Sequence, residues 1–172
     1  MFIAHLPSGY LLARCIKNKA TAHLSSRLIL FSALSGGIFP DLDLLYFYFI
    51  DNQQHNHHTY MSHIPLFWFI VFMMVSGLIV ILRKKTLLAI WLVFMTGIFI
   101  HLILDTVTGG ILWKYPLDMN YISFSTVENK YTWWVLNFIL HWTFLFEIAI
   151  LFAAITVYFR DRFNIYNKVK LN

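Results

Sequence analysis

At 172 residues the chain has the length of one domain. It is 59% hydrophobic and 19% aromatic but only 12% charged, about half the roughly 25% typical of a soluble domain, and its mean hydropathy is +0.66. That deficit of charge excludes an ordinary water-soluble fold and points to lipid as the solvent, while the net charge of +5 lies in short basic clusters that orient membrane segments rather than suggest a nucleic-acid partner.

The first 16 residues, "MFIAHLPSGYLLARCI", are too short to span a bilayer. They lack the basic start and small-residue cleavage site of a signal peptide, so a short helix or re-entrant segment that stays in the protein is expected. Cys15, the single cysteine, cannot form an internal disulfide. Residues 28–50 are apolar but interrupted by "SGGIFPDLD". Residues 64–82 are continuously apolar and end at Arg83, Lys84 and Lys85. Residues 86–107 and 132–159 follow, the last run entered through Trp133 and Trp134 and closed by Arg160, Asp161 and Arg162. The unbroken runs meet the requirement of about 20 residues for a transmembrane helix. The reading is an all-α, polytopic membrane bundle of about four transmembrane helices, one membrane-embedded domain over residues 1–172. The positive-inside rule puts Lys17, Lys19 and Arg27, the Arg83–Lys85 turn, and the tail with Arg160, Arg162, Lys168 and Lys170 in the cytoplasm. Residues 51–63 and 108–131 then face the periplasm or its equivalent.

Asp41, Asp43, His63, His101, Asp105, His141 and Glu147 fall within or at the ends of these runs, where ionisable groups mark a functional interior. At about 1.5 Å of rise per residue, Asp41, His101 and Asp105 sit ~20, ~22 and ~28 Å up from the cytoplasmic end, and His141 ~12 Å down from the outer one. Most of the set therefore converges on one layer in the outer half of the bilayer.

Spacing suits metal ligation. In "HLILD", His101 and Asp105 are i and i+4 on one helical face. In "FPDLDLL", Pro40 and the preceding glycines break the helix, and in an extended stretch Asp41 and Asp43 point the same way. In "HNHHTYMSHIPLFW", Pro65 fits a first helical turn. His63 then sits at the helix start while His58 reaches back from the loop. His55 and His57 read as solvated, with His57 in reserve as a ligand, and His23 as structural. His5 adds an imidazole on the N-terminal element. His141 and Glu147, about 120° apart around a straight helix, are outlying candidates that need not share one site. The imidazole and carboxylate mixture suits Zn²⁺, with Mn²⁺ or Fe²⁺ as alternatives.

These motifs carry a family resemblance. "AHLPSGYL", "FPDLD", "HHTYMSHIPLFW" and "HLILDTVTGGILWKYPL" follow in order the pattern of the YdjM-like, membrane-bound, predicted metal-dependent hydrolases, some of them LexA-regulated. The match covers residues 3–117. The chain departs from the commoner family form at Thr59, where an arginine is usual, and at Ser62 and Ile64, in place of a threonine and a serine. Lys114 or Lys130 would supply the missing cation. The family is more distantly similar to the all-helical zinc phospholipase C and P1 nuclease group. That similarity implies a phosphoesterase with one to three metal ions, ligands drawn from His5, Asp41 or Asp43, His58 or His63, His101 and Asp105, and Asp105 as the bridging carboxylate.

The expected activity is metal-assisted hydrolysis of a phosphoester or related bond in a membrane lipid or lipid-linked substrate. Asp41 or Asp43, whichever is not a ligand, acts as general base. Thr108, Gly109, Gly110 and Lys114 are expected to contact substrate, and Trp113, Tyr115 and Trp133 to mark the headgroup level. Two other classes share these features: a non-catalytic membrane protein stapled by a structural metal, and a small metal or proton transporter. The bacterial inner membrane is the expected location; oligomeric state has no sequence signal.

Overall fold

The computed structural model describes residues 3–16 and 24–170. Lys17, Lys19 and His23 lie outside the described residues, as do the side chains of Lys168 and Lys170. The elements are α1 (His5–Cys15), α2 (Ser26–Ile38), a 3-10 turn (Pro40–Leu42), α3 (Asp43–Phe49), two further 3-10 turns (His57–Thr59 and Met61–His63), α4 (Pro65–Ile81), α5 (Lys85–Thr108), α6 (Trp134–Ile139) and α7 (Phe144–Lys170).

The all-α reading agrees with this architecture, but the four-span bundle does not. Among the described residues only α5 is long and apolar enough to cross a membrane, or two segments if α2 and the Pro40–Phe49 helices, bent by 56°, count as one broken span. Two of the expected runs fall short for local reasons. α4 has 17 residues, about 26 Å at 1.5 Å per residue against a hydrocarbon core of about 30 Å. The last run is cut at residues 140–143 into α6 and α7. There the Nδ1 of His141 lies 2.8 Å from the Thr143 hydroxyl, a side-chain bond that competes with the helical ladder. Beyond that cut, only residues 144–159 are free of Arg or Lys, with Glu147 inside them.

Small residues set the packing. A Cβ on Gly36 would lie 2.1 Å from the carbonyl oxygen of Phe94, and one on Gly97 would lie 3.0 Å from the Ala33 oxygen. α2 and α5 therefore touch backbone to backbone, as small residues permit between apolar helices. A Cβ on Gly9 would meet the same Ala33 oxygen at 2.7 Å, which brings α1 onto the other side of α2. Gly36 and Gly37 are helical inside α2; the expected helix break comes only at Pro40. α4 packs on α5 and α7 on α1. Large apolar side chains remain bare outside this core, including Phe49 at 80%, Ile81 at 77% and Phe31 at 73% exposure, a surface that hydrocarbon solvates without penalty.

Past α5 the chain folds back on itself. Ile111 and Ile122 exchange both backbone hydrogen bonds, at 3.0 and 2.9 Å. The amides of Phe124 and Ser125 donate to the carbonyls of Thr106 and Val107 at 2.7 and 3.0 Å, which pairs C-terminal carbonyls of α5 that the helix itself leaves open.

Candidate metal centre

The α2–α5 crossing sets the site one helical turn beyond Gly97. His101 and Asp105 project from one face of α5 and are 0% and 1% exposed. The Nδ1 of His101 lies 2.8 Å from the Gly37 carbonyl oxygen. A carbonyl only accepts, so Nδ1 carries a hydrogen and Nε2 is the ring nitrogen turned inward.

Two further imidazoles are held the same way. His58 Nδ1 donates to the Gly110 carbonyl at 3.1 Å, and Gly110 makes its turn with φ +72, where glycine is favoured. A Cβ on Gly109 would lie 2.0 Å from His58 Cε1, so the His58 ring rests directly on that glycine. His63 Nδ1 lies 2.8 Å from Asp43 Oδ2, which also accepts from the Ser62 hydroxyl. Outer acceptors that fix the ring and its tautomer in this way are the usual support of metal-ligating histidines.

The inward atoms crowd together. His101 Nε2 is 3.0 Å from Asp105 Oδ2 and 3.5 Å from Asp41 Oδ1. His5 Nε2, from the start of α1, is 3.1 Å from Asp105 Oδ1 and 3.9 Å from Asp41 Oδ2, and its ring stacks on His101 with centroids 3.8 Å apart. His63 Nε2 is 3.3 Å from His101 Nε2, 3.7 Å from Asp41 Oδ1 and 3.5 Å from Asp105 Oδ2. His58 Nε2 is 3.8 Å from Asp105 Oδ2.

Two ligand groups result. In the first, donor atoms of His5, Asp41, His101 and Asp105 all lie within 4.8 Å of one another; in the second, those of His57, His58 and His63 do. Asp105 stands between them, with one carboxylate oxygen toward His5 and the other toward His101, His63 and His58. These groups can hold metal ions.

The electrostatics fit a cation. Among the described residues no lysine or arginine pairs with Asp41 or Asp43. Burial pushes His58 down to about 4 and also lowers His5 and His57, so these imidazoles are neutral and ligand-ready near pH 7. Burial acts the same way on His63, but hydrogen bonds to Asp105, Asp41 and Asp43 outweigh it and push its pKa up to about 11.

The remaining sequence-predicted residues lie elsewhere or play another part. Asp41 and Asp43 are in a 3-10 turn and at the start of α3, not in an extended stretch. They approach His63 from two sides, Asp41 at Nε2 and Asp43 at Nδ1. His57 joins His58 and His63 rather than staying solvated, whereas His55 is exposed and pairs with Asp51 at 2.7 Å. Glu147 is buried and accepts from the backbone amides of Ile3 and Ala4, which anchors the start of α1 beside His5. His141 lines a separate pocket with Glu128, Lys130, Asn137 and Trp142. Gly109 donates its amide to the Asp105 carbonyl at 2.8 Å, so the glycine pair serves His58 placement, and Thr108 is buried next to it. Lys114 is exposed and faces Asp118 at 3.9 Å. Ser62, Gly37 and Gly97 are the supporting residues that spacing alone did not single out. The small residues at 9, 33, 36, 37 and 97 were the available signal.

The sequence pattern of a family described as "YdjM inner membrane protein" matches residues 1–165. No curated protein and no solved structure matches the chain.

Proposed function

Since the chain belongs to the YdjM inner membrane protein family and is a protein of the inner membrane, we propose that its buried His–Asp cluster is the metal centre of a membrane-bound hydrolase. The observation that carries this reading is the convergence of inward Nε2 atoms on Asp105, with His5 at 3.1 Å and His101 at 3.0 Å. Zinc is the ion best suited to the donor set. His5, His101 and Asp105 would hold one ion, with Asp41 beside it, and His57, His58 and His63 a second, with Asp105 shared. A divalent ion so held supplies Lewis acidity and water activation at neutral pH.

The chain's own residues divide the remaining work. Asp43 is committed to His63 and Ser62 and orients the ring. Asp41, with a side chain 28% exposed against 10% for Asp43, is the carboxylate open to solvent and accepts the proton from the attacking water. His101 and His58 are locked by backbone carbonyls, so neither needs to reorganise during turnover.

The substrate we assign is a phosphoester or related bond of a membrane lipid or lipid-linked molecule. Its support is the position of the cluster at the C-terminal end of α5, the one helix among the described residues that qualifies as a span. The basic turn at the other end of α5, Arg83 to Lys85, supports a periplasm-facing centre. A structural metal is the second reading, because the first group's four protein donors equal the count of a closed zinc site. Purified protein, repleted with zinc in mixed micelles, is assayed for release of phosphate or headgroup from a panel of phospholipids and polyprenyl phosphates. Turnover that is lost in Asp41→Asn with metal retained supports the hydrolase. Stoichiometric metal with no turnover on any member supports the structural reading.

A further inference from the structure

From the basic end of the molecule to Phe39, α2, α4 and α5 leave an open apolar groove of about 660 Å³. Its walls include Phe31, Phe39, Leu78, Ile90, Trp91 and Phe94. It follows α5 from Leu87 to Phe94, about 10 Å at 1.5 Å per residue. In an inner-membrane protein such a groove is filled by hydrocarbon, and its mouth indicates which kind. Leu28, Leu82 and Leu87 line that mouth, and the adjoining sequence supplies Arg27, Arg83, Lys84 and Lys85. All of these cations are exposed, and none has a side-chain ion pair among the described residues.

Two local features raise the positive potential there. α2 and α5 both begin at this end with no acidic residue in the first turn, so cations sit where the helix dipole disfavours them. Arg83 also occupies the left-handed turn position after α4, with φ 53. Glycine is the favoured residue in that conformation, so local backbone preference does not explain an arginine there. Cations arranged around an apolar groove complement one membrane ligand, an anionic headgroup joined to a hydrocarbon chain.

We propose that this groove seats an acyl chain of an anionic glycerophospholipid whose phosphate is held by Arg27, Arg83, Lys84 and Lys85. The site is independent of the metal centre and of its chemistry. The headgroup supplies the preference for an anionic lipid, about fivefold per cation at the surface, while the groove holds the chain that keeps the lipid on the protein once detergent is removed.

The test is native mass spectrometry of the full chain, released from detergent with phosphatidylglycerol or with phosphatidylcholine of identical chains. Wild type is expected to retain one phosphatidylglycerol at least about tenfold over phosphatidylcholine, and inorganic phosphate does not compete. The combined variant Arg83→Gln, Lys84→Gln and Lys85→Gln cuts the preference to about fivefold, which Arg27 alone supplies. Ser35→Trp, which fills the groove and leaves every cation in place, also loses the bound lipid. Arg83→Gly keeps the turn and weakens retention about fivefold. Melting curves of each variant verify the fold. Equal retention of the two lipids, full retention by a folded Ser35→Trp, or displacement by inorganic phosphate would each overturn the proposal.

Discussion

Gly109→Ala separates the support of the metal centre from the stability of the protein. Gly109 has φ −94 and ψ −22, a conformation alanine adopts freely, so the backbone gains about 0.4–1 kcal/mol from reduced unfolded-state entropy. The new Cβ, however, would stand 2.0 Å from His58 Cε1 and 2.6 Å from Nδ1. The ring must retreat by about 1.4 Å to reach an ordinary contact of 3.4 Å, and it loses the 3.1 Å bond to Gly110. Losing that bond costs about 1 kcal/mol, close to the backbone gain, so the melting temperature should move by only a few degrees. Metal affinity should not be spared, because outer-shell bonds to a ligating histidine are worth about 10–100-fold. The assay is competition with a chromophoric chelator in detergent, run beside His58→Ala and the double variant. Gly109→Ala is expected to lower zinc affinity 10–100-fold, and the double variant to be no weaker than His58→Ala, because both changes disable one ligand. Wild-type affinity in Gly109→Ala, or additive losses in the double variant, would refute the role given to His58.

Other perturbations act on separate parts of the account. Gly97→Leu pushes a side chain into the Ala33 oxygen at 3.0 Å; overpacking of at least about 1–3 kcal/mol should lower the melting temperature and the metal content together. Asp43→Asn removes the anion beside His63 Nδ1 and should weaken metal binding about 10–100-fold with the helical content unchanged by circular dichroism. The pH dependence has a definite sign. His63 without metal is held above its ordinary value, so its stabilising contribution is complete below about pH 6.5 and is lost as pH rises through its folded pKa of about 11. Metal must displace that proton, so zinc affinity should rise with pH between 6.5 and 8 and uptake should release a proton, measurable by calorimetry in two buffers. Asp43→Asn should reduce the release.

Much of the His–Asp cluster was legible because spacing along a helix survives folding. His101 and Asp105 at i and i+4 lie on one face whatever surrounds them, and Pro40 had to end α2. His58 and His63 needed only the helix start at Pro65 to be brought together. What spacing could not give was the third dimension. The approach of α1 to α2 and of α2 to α5 depends on Gly9, Ala33, Gly36 and Gly97 facing one another, and a single sequence contains no pairing of those faces. Gly36 and Gly37 read as helix breakers for the same reason, since their use is a close crossing and not a turn. Glu147 looked like a ligand from its charge and depth, yet its carboxylate satisfies backbone amides at the start of α1. The span count failed because hydropathy alone does not register the turn at His141–Thr143 or the early end of α4.

The central claim is that the His–Asp cluster exists to hold metal, and metal content tests it most directly. Purified, zinc-repleted wild type is measured by mass spectrometry beside His101→Ala and Asp105→Ala, with circular dichroism verifying each fold. The account predicts close to two zinc ions per chain from the two ligand groups. It predicts loss of the first ion in His101→Ala, and loss of both in Asp105→Ala, whose carboxylate lies between the groups. A folded wild type that holds no stoichiometric metal after repletion would contradict it.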